Sequence, residues 1–286
     1  MATIVVARLY EKGIVRMATD FHDSQPAAPL VSCLLVTLPV PQRFAFACAS
    51  IEAFCAQTYQ NKEMVLVING GTEDGRRLLR EHVLSLNRPN IRMVEHGGEL
   101  SLGALRNISV ENAAGDIHCQ WDDDDLHHPE RLQRQVEALL QGGFDALFLQ
   151  EVMQYFPESD KIYWTNWSAT PAGGHPGTLM ARATTTIHYP VVGQDAHLGE
   201  DLRVALALKA QAKVGYLSAM PHLFVYVSHG KNSWNSDHHR HLIDSLAISA
   251  GLLRRREAQI RAGLDPFSFP SERVEVSGNS GPAFIL

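Results

Sequence analysis

Residues 113–132 read AAGDIHCQWDDDDLHHPERL. A segment of strand length, Asp116–Trp121, runs straight into four carboxylates, Asp122 to Asp125, and Pro129 then opens a helix. Adjacent like charges repel, so four in a row at the end of a buried strand call for a counter-charge. Alternate residues of an extended segment face the same way, which would aim Asp122 and Asp124 at one point. Two hard carboxylate oxygens suit a hard divalent cation such as Mg²⁺ or Mn²⁺, and a cation would relieve the repulsion. A solvated turn, with Asp125 favouring the N-terminus of the next helix, suits Asp125 alone. It leaves the run as a whole unexplained.

Outward from this stretch a rhythm of strands and helices emerges. LVSCLLVT (30–37) is a continuous apolar run, as in a strand buried on both faces. Pro39 and Pro41 break it and start a helix with Phe44, Cys48, Ile51 and Phe54 on one face. EMVLVING (63–70) predicts a strand ending in a Gly-rich turn, EDGRRLLREHVLSL (73–86) a helix, and NIRMVEH (90–96) a strand. LGALRNISVENAAG (102–115) predicts a helix closed by Gly115. The helix opened by Pro129 carries Leu132, Val136, Leu139 and Leu140 on one side. The alternation implies an α/β fold with a doubly wound, mostly parallel sheet. Ligands of such sheets bind beyond the carboxyl ends of the strands. Thr37, the Asn69–Gly70–Gly71 turn and the aspartates all fall there.

The second half is less regular. DALFLQEVMQYF (145–156) and KIYWTNW (161–167) predict two strands of a hairpin, and GTLMARA (177–183) a short strand. GEDLRVALALKAQ (199–211) predicts a helix with acids at its start, KVGYL (213–217) and HLFVYVSH (222–229) strands. A last helix is expected from Asp237 to Arg261, and a mobile Ser/Pro/Gly-rich tail after Pro266. Before all this, ATIVVARLY (2–10) could be a strand and HDSQPAAP (22–29) a linker.

With 286 residues the chain has room for one large α/β domain or two small ones. Its 45% hydrophobic and 20% charged residues are those of a globular protein. A net charge of −6 argues against a general nucleic-acid binder. Cys33, Cys48, Cys55 and Cys119 are scattered without a CxxC pair, as expected of free, buried thiols. No apolar run approaches the ~20 residues of a transmembrane helix, and the N-terminus lacks the pattern of a signal peptide. The expectation is a soluble, cytoplasmic protein.

Taken together, VSCLLVT, SIEAFCAQTYQNKEMVLV (50–67), ALRN (104–107), AAGD before Trp121, and DDDD…PERL resemble the nucleotide-sugar-binding half of family 2 glycosyltransferases, inverting enzymes of the GT-A fold. The motifs fall in that family's order over residues 29–135. The resemblance implies an extension (1–29), a nucleotide-sugar-binding half (30–142), an acceptor-side half (143–235) and a C-terminal helix and tail (236–286). It places Thr37 and Asn69 at the nucleotide, although INGGTED departs from the family's acidic second turn. It sets Arg106 along the nucleotide or diphosphate, Asp122 on ribose or a metal-bound water, and Asp124 on a Mn²⁺ or Mg²⁺ that bridges both phosphates. In HLGEDLRVAL (197–206) it implies Asp201 as catalytic base and Glu200 as its neighbour, with helix-terminal acids as the plainer alternative. GGHPGTLMAR (173–182) resembles the segment that shapes the sugar pocket, with Gly173 and Gly174 allowing close approach. In YVSHGKNSW (226–234) His229 would be a third metal ligand, and Lys231 and Asn232 would touch phosphate. His238 and His241, spaced i, i+3, form a competing metal site or an exposed polar face.

The implied activity is metal-dependent, inverting transfer from a nucleotide-diphosphate sugar, UDP-linked by preference, to an acceptor hydroxyl. The acceptor would be a glycan, a lipid-linked molecule or a small molecule. The Gln-x-x-Arg-Trp motif and transmembrane helices of processive members are missing, which favours single addition. The alternatives are a metal-dependent phosphohydrolase and a non-catalytic sugar-nucleotide or glycan-binding relative. Arg254–Arg255–Arg256 offer a contact with a membrane surface or partner subunit, or simply a solvated basic edge.

Overall fold

A computed structural model describes residues 28–230, 232 and 236–286. The strand and linker expected before Ala28 lie outside the described residues, as does Lys231. From Val31 the chain runs β1 (Val31–Thr37), α1 (Pro41–Cys55), β2 (Lys62–Asn69), α2 (Glu73–Ser85), β3 (Ile91–His96), α3 (Leu102–Glu111) and β4 (Ile117–Gln120). It continues through β5 (Leu126–His127), α4 (Arg131–Gln141), β6 (Ala146–Leu149), β7 (Glu151–Phe156), β8 (Lys161–Asn166) and β9 (Met180–Arg182). The last elements are α5 (Glu200–Gln211), β10 (Val214–Leu217), β11 (Phe224–Val227), α6 (Ser236–Leu246), α7 (Ala250–Arg255), α8 (Glu257–Leu264), β12 (Glu275–Gly278) and β13 (Gly281–Ile285).

The strands form two mixed sheets, β10-β6-β9-β4-β1-β2-β3 and β13-β12-β8-β7-β11-β5. In the first, β4, β1, β2 and β3 run parallel, with Val31 opposite Lys62 and Ile117, and β9 is inserted antiparallel between β4 and β6. Val31, Cys33 and Leu35 of β1 are fully buried with Leu66, Ile51 and Phe54, which explains the unbroken apolar runs. Thr72 caps α2 by accepting from Gly75 N at 3.0 Å, and Ser101 caps α3 by accepting from Ala104 N at 3.3 Å. No described helix is long and apolar enough to cross a membrane.

Several elements differ from the sequence expectation. Residues 145–156 are two strands, because Gln150 N donates to Leu217 O and Gln150 O accepts from Trp167 N, and these bonds bend the chain from the first sheet into the second. The β7–β8 hairpin itself forms, with Glu151 opposite Asn166. The helix expected over 237–261 is three helices, interrupted where Ala247 bridges Thr165 and Ile248 N donates to Trp164 O. The tail expected to be mobile returns as the β12–β13 hairpin, pairs with β8 and buries Val276 in the second core. The four aspartates occupy a turn between β4 and β5, so the alternation of an extended strand does not apply to them. The chain thus leaves the first sheet for the second three times, at Trp121–Asp125 after β4, at Gln150 between β6 and β7, and between β10 and β11. A cavity lies by the first of these crossings.

Candidate functional site

Each of the four carboxylates has its own partner. Asp122 Oδ1 stands 2.9 Å from Nη2 of Arg106, and its Oδ2 accepts from Gln120 Nε2 at 3.1 Å. Asp123, almost fully buried, accepts from the Thr37 hydroxyl at 2.6 Å and from Nε and Nη2 of Arg43. Asp124 Oδ2 meets Arg43 Nη2 at 3.0 Å and His229 Nε2 at 3.1 Å. Asp125 Oδ1 accepts from Val227 N at 2.9 Å and so ties the run to β11 rather than to the following helix. Burial, then the Asp124 charge, pushes Asp123 up to about 6. Burial and the neighbouring aspartates push Asp125 well above the usual carboxylate range. Burial opposes ionisation of Asp124 as well, yet the His229 hydrogen bond and the Arg43 guanidinium hold it below that range.

Arg106 joins this turn to the other half of the site. It projects from α3, is 8% exposed, and also donates through Nε to Glu200 Oε1 at 2.9 Å. Glu200 and Asp201 form the first turn of α5. Burial, then the Glu200 charge, pushes Asp201 up to about 7. These residues border one cavity of about 400 Å³, together with Trp167, His175 and Tyr226. That is the size of a small-molecule pocket.

Of the residues singled out in the sequence, the structure brings six together. Arg106, Asp122, Asp124, Glu200 and Asp201 line the cavity, and His229 touches Asp124 from its edge. Thr37 reaches the site only through Asp123. Asn69 stands apart: its amide NH₂ is placed to donate to Gly98 O at 2.9 Å and His96 O at 3.2 Å, closing the end of β3. Asn232 supports the turn after β11, accepting from His229 N and donating to Val227 O, both at 2.9 Å. Gly173 and Gly174 make their close approaches to Tyr216 and Phe148, while Ala172, His175, Pro176 and Gly177 face the cavity. His238 lines the cavity, while His241 is exposed.

Arg43 and His175 were not singled out. Arg43 is the single cation of α1, one turn past the end of β1, a signal present in the sequence. His175 is packed among Trp167, Phe224 and Tyr226 at ring distances of 4.6, 5.2 and 5.1 Å. Its Nδ1 is buried and has no hydrogen-bond partner among the described residues. Burial, then Arg131, lowers it to about 3, so it is a neutral imidazole.

Among the described residues no cluster of three or more His, Cys, Asp or Glu forms a ready metal cage. Asp124 Oδ2 and His229 Nε2 at 3.1 Å nevertheless fit one cation. Two ligands at right angles, each bound at about 2.1 Å, stand about 3 Å apart. Hard cations of this kind are held by one or two protein ligands, with substrate phosphates and water completing the shell.

The comparisons agree with this geometry. The chain superposes on residues 1–349 of TarS from S. aureus with a TM-score of 0.54 at 13% identity, over 85% of this chain and 76% of that one. It superposes on the mannosyltransferase PcManGT of Pyrobaculum calidifontis, solved with GDP-Man and Mn²⁺, with a TM-score of 0.54 at 15% identity, over 83% and 67%. At that identity the likeness is one of fold, the GT-A type. In sequence it is 30% identical over 90 residues to EpsE of Bacillus subtilis (strain 168), named as a candidate glycosyltransferase, matching 32% of each chain. The matched stretch therefore spans about a third of that relative. The model of glycosyl transferase family 2 matches residues 36–193, more than half of the chain. On that match the chain belongs to glycosyl transferase family 2.

Proposed function

We propose that the protein is a metal-dependent, inverting glycosyltransferase. It takes a sugar from a nucleoside-diphosphate sugar, UDP-linked by preference, and makes a single addition to the hydroxyl of a glycan, lipid-linked or small-molecule acceptor. The observation that carries this reading is the Asp122–Arg106–Glu200 bridge. It holds the aspartate turn and the acid pair of α5 together at the border of one cavity. Solved relatives of the fold hold UDP-GlcNAc in one case and GDP-Man with Mn²⁺ in another, which supports the donor class.

Asp201 is the base. Its raised pKa places it near neutrality, where it can both ionise and take a proton. In one in-line displacement the acceptor oxygen bonds to C1 of the sugar. The C1–O bond to the diphosphate breaks with its electron pair, and the hydroxyl proton passes to Asp201. Glu200, fixed by Arg106, raises the basicity of Asp201 through its charge. Asp124 and His229 would hold the divalent cation, whose chemistry is to neutralise charge on the leaving diphosphate. Asp122 is kept in place by Arg106 and Gln120.

The test is calorimetric titration of UDP with and without Mn²⁺. Binding should require Mn²⁺ in the wild type and vanish in Asp124→Ala. Silence toward UDP, GDP and dTDP alike, with Mn²⁺ present, would overturn the donor site and leave a phosphohydrolase or a non-catalytic relative.

A further inference from the structure

Arg43 is a cation at the border of this cavity that the transfer step leaves without a role. It stands in the first turn of α1. Its Nε donates to Asp123 Oδ2 at 3.2 Å, and its Nη2 reaches both Asp123 Oδ1 and Asp124 Oδ2. Asp123 is held from the other side by the Thr37 hydroxyl and is 3% exposed. It cannot turn toward a ligand without dropping both partners, so it serves Arg43 as an anchor. Asp124 is different. Its Oδ2 takes Arg43 Nη2 and His229 Nε2 together. A divalent cation held by Asp124 and His229 needs the same oxygen, and it also repels a guanidinium 3.0 Å away. The Arg43 side chain is 28% exposed, and its Nη1 has no hydrogen-bond partner among the described residues. A guanidinium has five donors, and those on Nη1 are available at the cavity wall.

We propose that Arg43 is a displaceable, protein-borne cation of the donor site. It holds Asp124 when no metal is bound and yields that oxygen to the metal. Still anchored on Asp123, it donates to a phosphate oxygen of the nucleoside diphosphate. The phosphate half of this proposal rests on the donor-site reading above; the competition with the metal does not.

Both halves are read without turnover. Free Mn²⁺ is followed by electron paramagnetic resonance in nucleotide-free protein, and UDP binding by calorimetry at saturating Mn²⁺. Arg43→Gln should bind Mn²⁺ alone more tightly than wild type. It should bind UDP at saturating Mn²⁺ about tenfold more weakly, the scale of one lost charge-assisted hydrogen bond. Arg43→Lys keeps a cation but not the fork that spans two carboxylates. It should recover part of the UDP binding and still take Mn²⁺ more tightly than wild type, and it serves if the glutamine variant does not fold. Unchanged or weaker Mn²⁺ binding in both variants would overturn the competition. Unchanged UDP affinity at saturating Mn²⁺ would overturn the phosphate contact. If wild type binds no nucleoside diphosphate even with Mn²⁺, the donor-site reading fails and the phosphate contact falls with it, while the Mn²⁺ titration still decides the competition.

Discussion

The Asp201 carboxyl has an ordinary value of 3.8 and is pushed up to about 7, first by burial and then by Glu200. Only the ionised form accepts a proton, so the transfer rate should fall about tenfold per pH unit below pH ~7 and level off above it. Asp201→Asn should lower turnover by about 10²–10⁴-fold while leaving Mn²⁺-dependent UDP binding intact. Loss of both together would mean that Asp201 shapes the donor site instead. The same shift acts on stability. The folded protein holds this proton more tightly than the unfolded chain, so the stabilisation is full below pH ~4 and is lost as pH rises through about 7. Asp201→Asn should therefore melt higher than wild type at pH 8, and the gap should narrow as the pH falls and close below pH ~4. Arg106 carries the opposite expectation. Its removal leaves Glu200 and Asp122 without their shared cation, so Arg106→Ala should cost about 3–5 kcal/mol in chemical denaturation. Asp122 and Asp124 are legible in the sequence because acids at the end of an apolar strand are conspicuous, and Glu200 and Asp201 are legible through the family resemblance, since acids at a helix start are common. Arg43 and His175 are not, because a single Arg in a helix and a His after two glycines look ordinary until the chain folds around them.

Among the elements, α3 is the one that aims Arg106. Its N-terminal turn lies hard against the segment before α5: a Cβ on Gly103 would sit 1.9 Å from Pro190 O, and Asn107 Nδ2 donates to Tyr189 O at 2.9 Å. Backbone cannot yield as a side-chain tip can. Gly103→Ala should destabilise by about 1–3 kcal/mol and should weaken UDP binding as α3 shifts, measured by urea unfolding and calorimetry. An unchanged midpoint would mean that the Pro190 segment moves freely. The same packing logic separates the legible elements from the others. β1 and β2 are central parallel strands covered on both faces, and such strands announce themselves as apolar runs. The break at Gln150 and the interruption at Ala247–Ile248 arise from hydrogen bonds to strands distant in the chain. Local periodicity is blind to such bonds, so 145–156 reads as one strand and 237–261 as one helix. The β12–β13 hairpin is hidden for a related reason. Its strands hold Ser, Gly and Pro, and are ordered by pairing with β8 and by packing on Leu253.

At the scale of the molecule, the cavity is bordered by the turn that leaves the first sheet, by the start of α5 and by Tyr226 of β11 in the second sheet. A ligand that fills it touches elements of both sheets and should stabilise them as one unit. The protein carries a net charge of −6, and four of its acids crowd one wall of this cavity. A diphosphate entering alone meets that field with Arg43 and Arg106 already engaged by carboxylates. A divalent cation on Asp124 reverses the balance, so cation and nucleotide should stabilise cooperatively. At a hundredfold excess over Kd a ligand adds about 2.7 kcal/mol, and for a chain of this size that is a rise in Tm of roughly 5 °C. Scanning calorimetry should show one transition, raised by about that much with UDP and Mn²⁺ together, and by clearly less with either alone. In Asp124→Ala the combined shift should collapse to the sum of the small single ones. Equal shifts from UDP with and without Mn²⁺ would show that the aspartate turn binds the diphosphate without a metal, and the cation would then lose its place in the reaction. Two separate transitions, only one of them moved by the ligand, would show that the site belongs to one sheet and that the second sheet unfolds on its own.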